Sequence, residues 1–223
     1  MLEVLIPNWG RFGDRLWPAT IETLQMVGMS GLISFILGTT FGVLLVVTKK
    51  DGILENFFIY QLLDKLTNAI RSIPFLILLI LLIPLSRAIV GVGIGVAGAI
   101  VPLVFGTTPF FARQIETAIS ELDSGLVEAS LAMGMSPVEI IFRVYLRESI
   151  ASIARVTQIT AINLIALTTI AGAIGAGGLG DFAVQFGQMM NMTDLLWVAI
   201  IIIMILVIIV QGIGNIVIKL AKK

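Results

Sequence analysis

The sequence predicts an all-α integral membrane protein with five transmembrane helices and one folded polar loop. Three observations carry that prediction. Of 223 residues, 58% are hydrophobic and only 13% charged, against about 25% charged in a soluble domain. The charges are parted by five uncharged runs, residues 23–48, 72–86, 88–112, 156–180 and 195–218, and four of these exceed the roughly 20 apolar residues that a helix needs to cross a bilayer core. Lys and Arg are also distributed unevenly among the segments between the runs.

The first span is placed at 20–47. Before it, residues 1–19 form an external segment in which Trp9, Phe12 and Trp17 suit the headgroup layer, the alternative being a disordered tail. This segment lacks the compact apolar stretch and small-residue cleavage site of a secretory signal. The second run has 15 residues, about 22 Å of helix at roughly 1.5 Å per residue, and is too short alone. The second span therefore extends back to 62–85, taking Arg71 with it and bending at Pro74. Spans three, four and five fall at 93–115, 152–173 and 195–218, and residues 219–223 make a basic cytoplasmic tail. Residues 20–218 read as one transmembrane domain.

Five spans put the termini on opposite sides. With the C-terminus inside, Lys49, Lys50, Lys65, Arg71, Arg113, Arg143, Arg147, Arg155, Lys219, Lys222 and Lys223 face the cytoplasm and only Arg11, Arg15 and Arg87 face out. Positive residues favour the inside, so the N-terminus is external. Five spans cannot divide into two equal halves, unlike the inverted-repeat plan of many secondary transporters, so two copies of the chain would build a pathway.

The absence of Cys and His excludes disulfides, Cys/His metal sites and His-dependent catalytic sets. No P-loop motif occurs, so the chain does not itself hold ATP in that way. Basic residues are few and follow the inner interface, which gives nucleic-acid binding no support.

The loop 121–149, ELDSGLVEASLAMGMSPVEIIFRVYLRES, reads as two short helices. The first covers about 122–133, with Leu122, Leu126, Ala129 and Met133 on one face and Gly134 as its stop. Ser136, Pro137 and Glu139 then form a helix-start signal, a capping box with proline at the first position. The second helix runs from Pro137 towards Ile150 and the fourth span.

Glycines 172, 175, 177, 178 and 180 end the fourth span. The literal G-x-G-x-x-G at 175–180 lacks the preceding strand of a dinucleotide site. It reads either as an irregular turn lining a pathway, with Ile170, Gly172, Gly175, Gly177 and Gly178 as gate candidates, or as close packing of helices through small residues. Arg71 faces a cavity or partner, or snorkels to the inner headgroups. Arg113 and Glu116, three apart, form a helix-surface ion pair.

Glu128-Ala129-Ser130, Gly134, Val144 and Leu146 resemble the pattern Glu-Ala-Ala, three residues, Gly, nine residues, Ile-x-Leu-Pro. That pattern marks the cytoplasmic loop of permease subunits in bacterial binding-protein-dependent ABC importers. Arg147 stands where the family has proline, at the bend into the fourth span. Arg71-Ser72-Ile73-Pro74-Phe75, Ile100–Leu103, Pro109–Arg113 with Glu116, and GAIGAGGLG at 172–180 are similar to the permease of the methionine importer subfamily.

The resemblance implies a type I importer permease fold and an inner-membrane, multi-pass homodimer. Glu128, Ala129, Ser130, Ala132, Met133 and Gly134 would form the coupling helix that docks on a separate ATPase. It implies two ATP-binding subunits on the cytoplasmic side, an extracytoplasmic binding protein or lipoprotein, and lipid around the spans. It places ATP and Mg on the ATPase, leaving this chain without a cofactor, a metal or a catalytic residue. The implied substrate is methionine. The alternatives are another amino acid or small nutrient, a channel or carrier working alone, and a membrane scaffold.

Overall fold

A computed structural model, described for residues 7–221, is helical throughout its regular structure. Helix α1 (Trp9–Phe12) and a 3₁₀ turn (Gly13–Arg15) lead into α2 (Leu16–Thr48). Helices α3 (Phe57–Arg71), α4 (Phe75–Leu81) and α5 (Ile83–Val90) follow, then α6 (Gly95–Ser120). The polar loop contains α7 (Ser124–Ala132), α8 (Pro137–Ile140), a π-helical turn (Ile141–Tyr145) and α9 (Leu146–Glu148). Helix α10 (Ile150–Ala171) ends in a π turn (Gly172–Ala176), followed by α11 (Gly178–Phe182), a further π turn (Ala183–Met189) and α12 (Thr193–Ala221). Residues 1–6 of the predicted external segment, and Lys222 and Lys223 of the basic tail, lie outside the described residues.

Among the described residues four helical stretches are long and apolar enough to cross a membrane: Trp9–Thr48, Gly95–Ser120, Ile150–Ala176 and Thr193–Ala221. They correspond to four of the five predicted spans, the third starting at Gly95 rather than at 93. The predicted second span, 62–85, is instead divided among three helices. Asn56 caps α3 by accepting the Ile59 N–H at 3.1 Å. The helix stops after Arg71 because a residue before proline resists the α conformation, and Pro74 itself is extended, with ψ of 133°. A second interruption falls at Leu82 (φ −90°, ψ 1°), two residues before Pro84. The sequence therefore anticipates a bend at Pro74, while the chain breaks both there and at Leu82.

The chain divides into two compact units. Unit 1 contains residues 1–33, 73–106 and 161–211. Its apolar interior is built in two clusters, one around Leu16, Leu179, Phe182 and Leu195 and another around Met26, Leu103, Leu164 and Ala176. The described part of the N-terminal segment is tied down here. The Asn8 backbone N–H and side-chain amide both donate to the Asp194 carboxylate at 2.9 Å, and Phe12 packs on Phe186 with ring centres 4.8 Å apart. For residues 7–15 this replaces the disordered-tail alternative.

Unit 2 contains residues 34–72, 107–160 and 212–223. Its interior joins Val43, Val46 and Val47 of α2 to Phe111, Ile115 and Ile119 of α6 and to Ile140, Val144 and Tyr145 of the polar loop. Helices α2 and α6 approach closely at Gly42, where a Cβ would lie 2.7 Å from the Ala112 carbonyl oxygen. Small residues permit such backbone contact within a membrane.

Candidate functional site

Two chain reversals contain nearly all the residues singled out by sequence. The first, in unit 2, runs from Asp123 to Glu139. Asp123 starts α7 by accepting the Gly125 N–H at 2.9 Å. The helix ends in a double bond pattern: Gly134 N–H donates to the Leu131 carbonyl at 2.9 Å and Met135 N–H to the Ser130 carbonyl at 3.1 Å. This is a Schellman closure. It places Gly134 at φ +77°, as the sequence predicts. Two residues on, the predicted capping box is formed. Glu139 accepts the Ser136 N–H at 3.0 Å, and Ser136 Oγ accepts the Glu139 N–H at 3.4 Å. The Ser136 N–H, and then its hydroxyl, which donates to Glu139 Oε2 at 2.9 Å, hold the Glu139 carboxyl below the ordinary glutamate value, with Arg143 adding to the effect.

The orientation of α7 divides the residues singled out by sequence between two faces. Val127 packs against the interior of unit 2, and Ser130 is buried, with its hydroxyl donating to the Leu126 carbonyl at 2.7 Å. Ser130 is thus set apart from the exposed face of α7, because its position on the helix turns it inward with Val127, three residues away. The face carrying Leu126, Ala129 and Met133 is exposed, with Met133 at 74%. Glu128, Ala132 and Gly134 are exposed as well. An apolar strip with one carboxylate lies open on a segment closed at both ends by caps. At the bend into α10, where proline is absent, the helix is interrupted by Ser149 (φ −88°, ψ 7°) after the π turn.

The second reversal, in unit 1, is the glycine run. Ile174 leaves helical geometry, and Gly175, Gly177 and Gly178 take φ of +94°, +84° and +78°. Such values strain any residue with a Cβ. Gly172 and Gly180 serve close approach instead: a Cβ on Gly172 would meet the Asp181 nitrogen at 2.6 Å, and one on Gly180 the Thr169 carbonyl oxygen at 2.2 Å. The free N–H groups opening α11 are taken by two successive residues of α2. Glu22 accepts the Gly178 N–H at 2.7 Å, and Thr23 Oγ1 accepts the Leu179 N–H at 2.8 Å. Among the gate candidates, Gly172 and Gly178 are buried, whereas Ile170 is 39% exposed.

Arg71 sits exposed on the last turn of α3, where the helix C-terminus favours a cation. Arg113 does pair with Glu116, at 2.6 Å, and it also binds Asp64 of α3 through the side chain and, at 3.3 Å, the backbone carbonyl. Sequence reasoning missed Asp64, Glu22 and Thr23. Glu22 carries one available signal: it is the acid immediately before the uncharged run 23–48.

Long apolar helices joined by a capped, exposed loop define a multi-pass helical membrane protein. The family described as binding-protein-dependent transport system inner membrane component matches residues 38–223. The probable D-methionine transport system permease protein MetI of Vibrio cholerae is 41% identical over 206 residues, 92% of each chain. A chain from the MetNI methionine ABC transporter in inward-facing conformation superimposes with a TM-score of 0.92 at 38% identity, over 95% of this chain and 98% of that one. A chain of an amino acid ABC transporter with histidines reaches a TM-score of 0.79 at 17% identity over 96% and 97%, which shows likeness of fold alone. The chain belongs to the binding-protein-dependent transport system inner membrane component family.

Proposed function

We propose that the chain is the permease subunit of an ATP-driven importer that carries methionine, D- as well as L-, across the cytoplasmic membrane. The observation that carries this reading is the near full-length match, at 38% identity, to a subunit of a methionine ABC transporter. Residues 20–218 form the transmembrane domain, with the broken segment α3–α5 as the fifth crossing, the N-terminus external and the C-terminus cytoplasmic. Two copies form the pathway. Two separate ATPase subunits, which hold the ATP and Mg, dock on the two copies of loop 121–149, so this chain is a transport subunit and hydrolyses nothing. An extracytoplasmic binding protein or lipoprotein delivers the substrate.

Helix α7 is the coupling helix in this reading. Its exposed Leu126–Ala129–Met133 strip supplies the apolar contact and Glu128 the charge that sets register. The caps at Gly134 and Ser136 let a force applied to α7 pass into α10 without being absorbed by a slack loop. ATP binds the two states of the complex with different affinity, and this difference shifts the pathway between inward- and outward-facing forms. The glycine turn, held by Glu22 and Thr23, is the gate.

Uptake of labelled methionine by proteoliposomes containing the permease, ATPase and binding protein tests the reading. ATP-dependent methionine accumulation is expected. Flux through the permease alone, with no ATPase present, would indicate a channel or carrier. Uptake of a different nutrient in place of methionine would replace the substrate and keep the class.

A further inference from the structure

Between the start of α2 and helix α11, unit 1 contains a cavity of about 200 Å³. This exceeds the roughly 150 Å³ that accommodates benzene, so the space suits a small organic molecule. Arg15, Glu22, Asp181 and Gln185 supply polar lining, and Phe182 and Phe186 an aromatic wall. Both signs of charge are present, yet among the described residues no ion pair joins Arg15 to either carboxylate. Glu22 is engaged by the Gly178 N–H, while Asp181 accepts only the Gln185 amide, at 3.2 and 3.3 Å. Burial first, then the charge of Glu22, raises the Asp181 carboxyl above the ordinary aspartate value, with Gln185 opposing the shift. The lining thus offers an uncompensated carboxylate and an unpaired guanidinium in one space.

We infer that this cavity binds a free α-amino acid as its zwitterion, with Asp181 and Glu22 facing the ammonium, Arg15 facing the carboxylate, and Phe182 and Phe186 facing the side chain. A bare metal ion fits the lining less well. The guanidinium repels it, and among the described residues no three His, Cys, Asp or Glu side chains come together as ligands. The site would give the permease a direct contact with cargo. The inference deepens the importer reading and rests on it for the choice of methionine as probe.

The test is equilibrium binding of labelled L-methionine to the full chain in lipid nanodiscs, without ATPase or binding protein. Saturable binding is expected. N-acetylmethionine, which lacks the ammonium, and methionine methyl ester, which lacks the carboxylate, should each bind about tenfold or more weakly, as loss of a charge-assisted contact implies. Arg15→Gln should weaken methionine by a similar factor and leave the methyl ester unchanged. Asp181→Asn should weaken methionine and leave N-acetylmethionine unchanged. A merely structural effect would depress all ligands alike. Arg15 is exposed, so its variant tests the site even where Asp181→Asn fails to fold. Absence of saturable binding, or affinities that neither variant alters, overturns the inference. ATP-driven uptake by the full complex with no binding by this chain would reject the cavity site alone. Binding here with no ATP-driven uptake by the complex would reject the importer reading alone.

Discussion

The two reversals are both built on positive-φ glycines, yet they are specified in opposite ways. In the 123–139 segment the hydrogen bonds that cap and close the helices are short in sequence. Asp123 reaches Gly125, Gly134 reaches Leu131, Met135 reaches Ser130, and Ser136 exchanges bonds with Glu139. The 172–180 turn is held instead by Glu22 and Thr23, each 156 positions from its partner. The first turn can form before the rest of the protein folds. The second acquires its shape only when α2 is in place. Under the roles proposed above, a segment that transmits force would benefit from carrying its own stiffness, and a gate from being held by contacts that another helix can release.

The largest expected effect breaks the remotely held turn. Gly180→Val puts side-chain atoms where even a Cβ lies 2.2 Å from the Thr169 carbonyl oxygen and 2.8 Å from its Cα. Both are backbone atoms and cannot rotate away. Overpacking of this kind costs on the order of 3 kcal/mol or more. The expected outcome is little or no folded protein in the membrane fraction, measured by monodisperse yield in detergent and thermal unfolding. Wild-type yield and melting would show that the turn has room that the geometry denies.

Thr23→Val sharpens the same contrast at smaller scale. The isosteric change removes the acceptor for the buried Leu179 N–H and keeps the volume. An unpaired buried donor costs about 1–3 kcal/mol. The protein should insert and fold with a lower melting temperature, and the amide of Leu179 should lose protection from hydrogen exchange. Protection equal to wild type would mean that the link to α2 does not hold the turn.

This contrast also explains what could be read from the sequence. The four long helices follow from uncharged length alone. The capped loop follows because glycine, serine, proline and glutamate act on neighbours within a few residues. The break at Leu82 was not legible, since Pro74 announces one interruption and Pro84 lies at the edge of a continuous apolar run. The inward turn of Ser130 was not legible, because a small polar side chain in a polar loop gives no sign of burial, whereas Leu126, Ala129 and Met133 share an exposed face and Val127 and Ser130 turn inward. The partners of the glycine turn could not be found from neighbours, because Glu22 and Thr23 meet it only through the packing of α2. The same holds for Asp64, which reaches Arg113 across 49 positions.

Substitution at Gly134 probes the locally held segment. Its φ is +77°, but no heavy atom lies within 4 Å of where a Cβ would be. Gly134→Val therefore introduces backbone strain of about 1–2 kcal/mol without a clash. The protein should fold and insert. In the complete transporter, ATP hydrolysis should persist while uptake falls, because the altered turn displaces α7. Equal uptake by the variant and wild type would remove Gly134 from the coupling role. Equal loss of yield at Gly134 and Gly180 would break the comparison between strain and close approach.

The smallest effect concerns the capping box. Ser136→Ala removes the acceptor for the Glu139 N–H and should cost about 1 kcal/mol, as loss of a serine cap does elsewhere. The Glu139 carboxyl is held below its ordinary value, so it binds fewer protons in the folded loop than in an unfolded chain. Its contribution is present above the unfolded value and is lost as pH falls through the folded one. Hydrogen exchange at the first turn of α8 should therefore quicken on acidification in the wild type and respond somewhat less in Ser136→Ala, which loses the hydroxyl contact to Glu139 but keeps the backbone N–H that lowers it most. The glycine turn should not follow this pattern, since Asp181 is raised by burial and by Glu22. Its contribution is present below the unfolded aspartate value and is lost as pH rises through the folded one. Opposite pH responses at the two reversals, measured in one exchange experiment, would separate a cap supported by its own charge from a turn that holds two acids close together. Parallel responses would mean that the two segments open together and that the distinction between local and remote support does not govern their stability.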